Sequence, residues 1–534
     1  MSKQFEIFEP GDFLTLNEAS NWASNYLRKK VSPSNITYLI NYGRIRKYGE
    51  NGDAYISKMD LIKYYKSYNG QREINYKEKL GDDLNWKLSF DSVTEAETTK
   101  HVHRLHPYKG KFIPQFVEHF IDEHTDEFKK KMFFHKGDII VDPFCGSGTT
   151  LVQANELGIN AIGIDVSFFN SFISNCKIDK YNLEDLRKEM SLITLALKRF
   201  LLNKNTLEFE EKLLKELNVF NNKYFPRSEF KRRVFLGKID EYKYGHEKEK
   251  MFLPIYQRLI KEYDIELELK KGESFLDKWY LKHVRDEIDF VYSKTKGLKN
   301  SNTKDILKLI LSRTIRSCRA TTHSDLATLI KPISSTYYCH KHGKICKPLF
   351  SILRWWETYS KDTIERLAKF DEVRTNSHQA CLTGDSRNID LITELLKVDK
   401  KFAEIVKRQK IKGIFSSPPY VGLIDYHEQH AYAYDLFGFK RKDNLEIGPL
   451  TKGRGKEARE SYLEGISQVL LNMKKYFVDD YNVLLVANDK HNLYPQIAQK
   501  SGMKIVQQFK RPVLNRTEKD KSAYSEIIFH LKEK

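Results

Sequence analysis

The segment from Ile139 to Asp165 constrains the fold of this chain more than any other. An apolar run is followed by the turn Asp142-Pro143-Phe144-Cys145-Gly146-Ser147-Gly148-Thr149-Thr150, a helical pattern and a second apolar run that ends at Asp165. This order is typical of a parallel βαβ unit, in which an acidic residue about 20 positions after the first strand faces ribose hydroxyls. The sequence therefore predicts an open α/β fold with a nucleoside site at the carboxyl ends of its strands.

The same turn argues against a phosphate-bearing ligand. The pattern G-x-G-x-x-G is absent, and no P-loop lysine follows the glycines. The glycines still let a ligand approach the backbone closely, but the residues that cradle phosphates are missing. We therefore expect a nucleoside without phosphates, and S-adenosylmethionine is the cofactor that fits this description.

A second motif, Ser417-Pro418-Pro419-Tyr420, directly follows the apolar run Ile411–Phe415. The run predicts a buried strand, and two prolines stop its ladder of hydrogen bonds. The carbonyls of Ser417 and Pro418 are then free to face a ligand, with the Tyr420 ring beside them. Such a slot fits a planar base with an exocyclic amine that has been turned out of its stack. Taken alone, these four residues favour an ordinary proline-rich turn after a strand.

Together, the two motifs resemble the amino-methylating DNA methyltransferases. The serine before Pro-Pro-Tyr resembles the cytosine-N4 group, whereas the adenine-N6 enzymes more often carry Asp or Asn there. His106-Pro107-Tyr108 and Lys111-Phe112-Ile113-Pro114 resemble the family's segment beside the methionine end of the cofactor. The resemblance covers roughly residues 100–185 and 375–534. It implies an S-adenosylmethionine-dependent enzyme that methylates cytosine N4 in duplex DNA and protects that DNA from a cognate restriction endonuclease.

The resemblance also implies roles for individual residues. The catalytic residues are Ser417, Pro418, Pro419 and Tyr420: the first two accept the amine hydrogens and Tyr420 stacks on the base. The residues expected to bind the cofactor are His106, Tyr108, Lys111, Phe112, Asp142, Phe144, Gly146, Gly148, Thr149, Asp165 and Asp385. Cys145 and Cys381 are expected to pack rather than to catalyse. An adenine-N6 enzyme, an RNA methyltransferase and an inactive DNA-binding regulator remain alternatives.

The predicted fold is a doubly wound, mostly parallel methyltransferase sheet with a large helical insertion and an N-terminal winged helix-turn-helix-like module. The predicted segments are this module (1–68), a polar linker (69–100), the cofactor-binding part (101–185), an inserted target recognition region (186–375) and the catalytic part (376–534). The motif order resembles the alpha arrangement of the family. The insertion, however, precedes the strand of Asp385 instead of following it.

The N-terminal module carries the pattern of two short helices, a turn and a strand. Thr15 and Glu18 are spaced as a capping box at the first helix, and Ser32-Pro33-Ser34 begins the second. A winged helix-turn-helix would insert the second helix into the major groove. The expected contacts are Asn35, Thr37, Tyr38, Arg44 and Arg46. A helical protein-binding module is the alternative.

The charge of the chain favours a polyanionic partner, and double-stranded DNA is the one we expect. Its 91 Lys and Arg residues exceed its 72 Asp and Glu residues, for a net charge of +19. A lysine-rich proteome would produce the same excess. A predicted helix from Lys304 to Arg319 carries Arg313, Arg316 and Arg319 on one face. That face is either solvated or in contact with phosphates.

No apolar run is long enough to cross a bilayer and no signal peptide is apparent, so we expect a cytoplasmic protein. Six scattered cysteines do not form a disulfide framework. The segment Cys339-His340-Lys341-His342, followed by Cys346, has residues suitable for zinc but lacks a Cys-x-x-Cys pair. An ordinary loop is favoured there, and no metal site is predicted.

Overall fold

The structure is a computed structural model that describes residues 12–27, 30–49, 55–202, 204–269, 272–323, 329–514 and 522–534. Its strands are β1 (Phe13–Thr15), β2 (Lys47–Tyr48), β3 (Tyr55–Ser57), β4 (Ile139–Asp142), β5 (Asn160–Asp165), β6 (Tyr337–Cys339), β7 (Lys344–Cys346), β8 (Gln379–Thr383), β9 (Ile411–Ser416), β10 (Phe477–Ala487), β11 (Met503–Pro512) and β12 (Ser525–Glu533).

The helices outnumber the strands. They are α1 (Leu16–Leu27), α2 (Pro33–Asn41), α3 (Lys58–Leu80), α4 (Glu95–Thr98), α5 (Pro114–Ile121), α6 (Thr149–Glu156), α7 (Phe168–Ile178), α8 (Leu183–Leu201), α9 (Thr206–Tyr224), α10 (Arg227–Phe235), α11 (Glu241–Glu262), α12 (Phe275–Trp279), α13 (Lys282–Lys296), α14 (Ser301–Ser317), α15 (Leu353–Asp371), α16 (Leu391–Val398), α17 (Lys400–Gln409), α18 (Tyr426–Gln429), α19 (Ala431–Phe437), α20 (Lys456–Lys474) and α21 (Tyr494–Lys500). Short 3-10 helices cover Trp86–Ser89, His101–Arg104, Asp443–Leu445 and Leu450–Lys452. Within the described ranges, no helix has both the length and the apolar composition needed to cross a membrane.

A seven-stranded sheet with the order β11-β12-β10-β9-β4-β5-β8 forms the centre of the molecule. Five strands, β10, β9, β4, β5 and β8, run parallel to one another. Strand β12 is antiparallel to both β10 and β11. The prediction of a mostly parallel α/β sheet is therefore confirmed.

Both faces of this sheet are covered by helices, as a doubly wound fold requires. Successive side chains on a strand point to opposite faces. Ile140 and Phe415 pack into the core that contains α5, α6 and α7. Ile139 and Ile414 pack into the core that contains α16, α17, α20 and α21. The two central strands thus bury apolar side chains on both sides, which explains why they read as continuous apolar runs.

The predicted insertion is helical, as expected, and it contains α8 to α15 together with the small hairpin of β6 and β7. It has no separate main core. Leu186, Trp356 and Phe370 belong to the same buried cluster as Phe116 and Ile140 of the methyltransferase part. The insertion is therefore built onto one face of the central sheet. Its boundaries at 186–375, and its role in target recognition, stay predictions.

The N-terminal segment forms a compact unit in which β1, β3 and β2 make an antiparallel sheet beside α1 and α2. The expected capping box is present: the backbone N–H of Thr15 donates to the Glu18 carboxylate at 2.8 Å, and the Glu18 N–H donates to the Thr15 hydroxyl at 3.3 Å. Ser32 caps α2 in the same way with Asn35. The winged helix-turn-helix interpretation stays a prediction.

The predicted linker over residues 69–100 is wrong in its first part. Helix α3 begins at Lys58 and continues through the start of this segment to Leu80. This part of the helix is polar and lacks the apolar periodicity that would predict a helix from sequence. Ion pairs one turn apart stabilise it, such as Glu73 and Lys77, whose charged atoms are 2.7 Å apart. The chain then joins the central sheet, because the Asn85 N–H donates to the Lys510 carbonyl of β11 at 2.8 Å.

Gly413 lets the adjacent strands β9 and β10 approach each other closely. A Cβ atom at this position would lie 1.8 Å from the backbone oxygen of Asn482, next to an irregularity in the β10 register. A backbone oxygen cannot move aside as the end of a flexible side chain can. The sheet therefore requires glycine here.

We predict that Gly413→Ala destabilises the protein by about 1–3 kcal/mol, because the methyl group forces β9 and β10 apart. Gly297→Ala is the matched control, since Gly297 has an ordinary backbone conformation and its Cβ would meet nothing closer than 3.5 Å. Thermal unfolding of the two variants checks this. Equal midpoints for both variants would contradict the close approach of the strands.

Candidate active site

A cavity of about 420 Å³ opens at the carboxyl edge of the central sheet. Its wall is formed by the segments that follow β4, β5, β8 and β9, by residues 108–113 in front of α5, and by parts of β11 and β12. Ligands of open α/β sheets bind at this edge, because adjacent loops diverge there and leave a crevice. The cavity is therefore where the predicted cofactor and base would meet.

Most of the predicted site residues line this cavity. Those present are Tyr108, Lys111, Phe112, Asp142, Phe144, Gly146, Thr149, Asp165, Asp385, Ser417, Pro418, Pro419 and Tyr420. They come from five separate stretches of the chain. The fold thus brings together the motifs that sequence reasoning placed in one site.

His106 and Gly148 are exceptions, since neither lines the cavity. His106 is fully buried, with Nδ1 2.9 Å from the Pro107 carbonyl and Nε2 3.3 Å from the Tyr432 hydroxyl. Gly148 has φ +74° at the start of α6, and a Cβ atom there would lie 2.9 Å from Ser174. Neither residue is part of the cavity wall; both support it from behind, and their roles in cofactor binding stay predictions.

Asp142 closes β4 and is almost completely buried. Its Oδ1 accepts a hydrogen bond of 2.6 Å from the Ser416 hydroxyl at the end of β9 and one of 3.2 Å from the Phe144 N–H. Burial raises the pKa of this carboxyl group, and the hydrogen bonds from Ser416 and Phe144 oppose the rise. Asp142 thus connects the glycine turn to the strand that carries the second motif.

Asp165 closes β5 and is held by the glycine turn. Its Oδ2 accepts from the Gly146 N–H at 2.8 Å, while its Oδ1 accepts from the Ser167 N–H at 2.9 Å and from the Asn170 amide at 3.1 Å. Burial nevertheless raises its pKa to about 7. The carboxylate is fixed in place and still has lone pairs that can accept ribose hydroxyls.

Gly146 is needed because Tyr108 lies against the turn. A Cβ atom on Gly146, whose φ is +53°, would be 2.9 Å from the Tyr108 hydroxyl. That hydroxyl also accepts from the Asn170 amide at 3.2 Å. The segment before α5 is thereby fastened over the glycine turn, which agrees with its expected position beside the cofactor.

Asp385 follows β8 at the far side of the cavity. Arg387 holds its carboxylate with a forked contact, Nε to Oδ1 at 2.9 Å and Nη2 to Oδ2 at 2.6 Å. Lys111 stands on the other side and donates from Nζ to the His103 carbonyl at 2.7 Å. Burial, together with the charges of Arg104, Arg366 and Arg313, lowers the pKa of Lys111 to about 8, so this cation is poorly solvated.

The second motif is braced against β10 and β12. The Ser417 hydroxyl donates to the Val486 carbonyl at 3.2 Å, so its oxygen lone pairs remain able to accept. The Tyr420 hydroxyl donates to Glu526 Oε1 at 2.7 Å, and Glu526 Oε2 lies 3.1 Å from Arg511 Nε. The tyrosine ring is thus fixed at one end while it lines the cavity.

Sequence reasoning missed several residues of the wall, namely Asn170, Tyr426, Glu446, Arg511, Tyr524 and Glu526. Glu446 accepts from the backbone N–H groups of His427 and Tyr426, at 2.9 and 3.3 Å, and so holds α18 against the cavity. These residues lie in no recognisable motif. Only the alternation of side chains between the two faces of β11 and β12 could have indicated Arg511 and Glu526. These two residues are paired across the strands and lie on the same face of the sheet.

The charged groups of the cavity wall are mainly acidic. Five carboxyl groups (Asp142, Asp165, Asp385, Glu446 and Glu526) are accompanied by two basic groups, Lys111 and Arg511. In a chain with a net charge of +19, this local excess of acid is the reverse of the overall balance. Such a wall favours a ligand that carries positive charge.

The predicted arginine face on α14 is wrong for two of its three members. Arg313 is buried and its Nη1 donates to Asp362 at 2.6 Å, and Arg319 is buried with its guanidinium 5.5 Å from the Tyr432 ring centre. Helix α14 is enclosed by its neighbours, so these positions are neither solvated nor available to phosphates. Arg316 is partly exposed. The pKa of His430 is lowered to about 3, mainly by the burial of that histidine and next by the charge of Arg316.

The proposed DNA contacts of the N-terminal module differ in availability. Arg46 is exposed and lies over the Tyr48 ring, whereas the Arg44 guanidinium lies over Phe235 of α10, 5.1 Å from the ring centre. A Cβ atom on Gly43 would be 2.7 Å from the backbone of Arg232. The module is therefore packed directly against the insertion, and its role in DNA binding stays a prediction.

Comparisons with known proteins agree with the geometry. A family model described as "DNA methylase", that of the N6/N4 methyltransferases, matches residues 3–169. The chain is 46% identical over 522 residues to the type II methyltransferase M.MjaII of Methanocaldococcus jannaschii, which covers 97% of this chain and 96% of that protein. Shorter stretches are similar to the type II methyltransferases M.BsoBI of Geobacillus stearothermophilus (38% over 94 residues, 17% of each chain) and M.MvaI of Kocuria varians (29% over 117 residues, 21% of this chain and 24% of that protein).

No solved structure matches the chain. Similarity to M.MjaII extends over nearly the whole of both proteins, and the cavity places the glycine turn beside Ser417-Pro418-Pro419-Tyr420. The chain therefore belongs to the amino-methylating type II DNA methyltransferases.

Proposed function

We propose that this protein transfers a methyl group from S-adenosylmethionine to N4 of cytosine within a short duplex DNA sequence. The observation that carries the proposal is the position of Ser417-Pro418-Pro419-Tyr420 in the same cavity as Asp165 and the glycine turn. The type II methyltransferases depend on S-adenosylmethionine. The choice of cytosine over adenine rests on Ser417.

The residues of the cavity fit S-adenosylmethionine. Asp165 would accept the ribose hydroxyls, Asp385 the adenine amine, and the segment from Tyr108 to Phe112 would lie beside the methionine end. The acidic wall suits a sulfonium, and Lys111 suits the carboxylate of the methionine end. When bound, this cofactor supplies the methyl group that an exocyclic nitrogen accepts.

The second motif would prepare that nitrogen. The lone pair of an exocyclic amine is delocalised into the base, so acceptors for its hydrogens help to localise it. The Ser417 hydroxyl oxygen and the Pro418 carbonyl are the acceptors we propose, and Tyr420 would hold the base by stacking. Both act by position and by charge complementarity to the cationic nitrogen of the transition state. No nucleophilic side chain is required, which agrees with packing roles for Cys145 and Cys381, both buried.

Cytosine is favoured because Ser417 is a hydroxyl where the adenine enzymes more often present an acid or an amide. Its hydroxyl hydrogen is directed to Val486. Ser417 can therefore act as an acceptor towards the amine while it remains anchored to β10. A cognate restriction endonuclease would be a functional partner, because methylation of its target would protect the host DNA. Adenine N6 is the second candidate, supported by the membership of a family that contains both specificities.

We predict that Asp165→Ala weakens binding of S-adenosylmethionine by about 1.5–3 kcal/mol, the value of a hydrogen bond to a charged group. Because burial raises the pKa of Asp165 to about 7, the wild-type affinity should fall as the pH drops below 7 and the carboxyl group is protonated. Calorimetry across this pH range measures both effects. The variant should lose this pH dependence, and Asp479→Asn, at an exposed site on β10, should change neither.

We predict N4-methylcytosine as the product in DNA from cells that express the protein, measured by digestion to nucleosides and mass spectrometry. Ser417→Ala should lower the methylation rate and leave cofactor affinity unchanged, because its hydrogen bond to the amine strengthens in the transition state. Ser501→Ala removes a buried hydroxyl that also donates to a backbone carbonyl, but outside the cavity, and should not affect the rate. N6-methyladenine alone would overturn the base assignment. Methylated RNA, or no methylated base with intact cofactor binding, would favour the RNA enzyme or the inactive regulator.

We predict that Arg316 contacts a DNA phosphate. Arg316→Ala should then reduce the slope of log affinity against log salt concentration by about one unit. Arg408→Ala is the control, because this exposed arginine precedes β9 and therefore lies at the opposite edge of the sheet. Fluorescence anisotropy with a duplex at several salt concentrations measures the slopes. The same slope for Arg316→Ala and the wild type would remove Arg316 from the interface.

A further inference from the structure

Two cysteines and two histidines converge at the hairpin of β6 and β7, within the insertion. The four residues are His323, Cys339, His342 and Cys346, and one potential ligand atom from each lies within 4.8 Å of all the others. They lie outside the cavity that holds the methyltransferase motifs. Thiolates and imidazoles are the donors that zinc prefers in structural sites.

The hairpin turn brings His342 back to Cys339. The N–H groups of His342 and Gly343 both donate to the Cys339 carbonyl, at 3.1 and 2.7 Å. Gly343 has φ +60°, which glycine adopts without strain. Cys346 ends the returning strand, and its backbone pairs with Tyr337. Three donors are therefore fixed by eight consecutive residues whose conformation is set by backbone hydrogen bonds.

The fourth donor reaches the hairpin from the segment that follows α14. His323 Nδ1 lies 2.7 Å from the Tyr337 hydroxyl, and the His323 N–H donates to the same hydroxyl at 3.0 Å. These contacts fix the ring and leave Nε2 as the nitrogen for a metal. Metal-bound histidines commonly have such a partner on their other nitrogen.

The distance between two of the proposed ligand atoms agrees with a tetrahedral site. Nδ1 of His342 and Sγ of Cys346 are 3.4 Å apart. Zinc bonds of about 2.0–2.1 Å to nitrogen and 2.3 Å to sulfur at tetrahedral angles place such atoms ~3.6 Å apart. Cys339 and Cys346 are buried and His323 is partly buried, so most of the site is shielded from water.

His340, which the sequence also suggested as a ligand, is outside the cluster. Its side chain is exposed, stacks on Tyr242 with ring centres 5.4 Å apart, and has Nδ1 3.1 Å from Glu241. Sequence reasoning disfavoured zinc because it sought a Cys-x-x-Cys pair and could not know that His323 folds back to the hairpin. The structure replaces His340 with His323 and so completes a set of four.

We propose that His323, Cys339, His342 and Cys346 bind one Zn²⁺ in a closed structural site. Four protein ligands leave no open position for water, so the ion does not take part in methyl transfer. The two thiols lose their protons on binding, and the thiolates neutralise the charge of the ion.

The zinc would join the end of α14 to the long helices of the insertion. The hairpin is anchored to α9, because the Asn221 side chain both donates to the Ile345 carbonyl at 3.0 Å and accepts from its N–H at 2.9 Å. It is anchored to α11 by the Tyr338 N–H, which donates to Glu249 at 3.0 Å. The ion would therefore fix the segment after α14, which contains Arg319 over the Tyr432 ring, against this scaffold.

The test is the zinc content of the full-length protein, purified with reduced thiols and without metal-affinity resin. We expect about one zinc per chain by elemental mass spectrometry, and release of that zinc by a mercurial that blocks thiols. His323→Ala and Cys339→Ser should lose the metal and unfold at a lower temperature. His340→Ala is the matched control and should retain both the metal and the stability.

A measurement on the unaltered protein keeps the test decisive if the variants fail to fold. Exchange of the bound ion for Co²⁺ should give the visible absorption of a tetrahedral ion with two thiolate ligands. Protein that takes up neither zinc nor Co²⁺ when these are supplied would overturn the proposal. So would a disulfide between Cys339 and Cys346 in freshly isolated protein, zinc that survives the mercurial, or equal loss of zinc in His340→Ala and His323→Ala.

Discussion

A buried hydrogen bond between the ends of β4 and β9 joins the glycine turn to the second motif. The Ser416 hydroxyl at the end of β9 donates to the Asp142 carboxylate at the end of β4 over 2.6 Å, and the two strands are neighbours in the sheet. Because the bond is buried beside two loops that start at these residues, it sets the distance between the glycine turn and Ser417. In the proposed mechanism, the position of the base relative to the cofactor would depend on this distance. Removal of the Asp142 carboxylate would leave the buried Ser416 hydroxyl without this acceptor, which costs more than the bond itself contributes. Removal of the Ser416 hydroxyl would leave Asp142 Oδ1 with the Phe144 N–H as a donor.

The sequence was sufficient for the centre of the fold and for most of the cavity wall. Strands β4, β5 and β9 are short apolar runs that end at Asp142, Asp165 and Ser416. Because both faces of each strand are buried, nearly every side chain is apolar and the run can be recognised in the sequence. The carboxyl ends of parallel strands meet at one edge, so residues that follow them could be assigned to one site without coordinates.

The remainder depended on packing that a pattern does not contain. An arginine every third residue on α14 is typical of a solvated face, but the insertion encloses this helix, buries Arg313 and gives it a partly buried partner in Asp362. His106 belongs to a motif that resembles the family's cofactor segment, yet the ring turns inwards to Tyr432. In each case the residues were identified from the sequence, but the direction of the side chain could not be predicted. That direction depends on packing against elements that are distant in sequence.

The position of the insertion has a consequence for the order in which the protein folds. Strand β8 pairs with β5 although residues 166–378 separate them, and β4 pairs with β9 across an even longer interval. During synthesis the first strands leave the ribosome long before their partners exist, so the apolar faces of β4 and β5 must be covered by something else in the meantime. The helices of the insertion follow directly in the chain and share a core with α6 and α7. The insertion can therefore shield the nascent sheet on one face until β9 arrives, and helices with local contacts form quickly enough to do so.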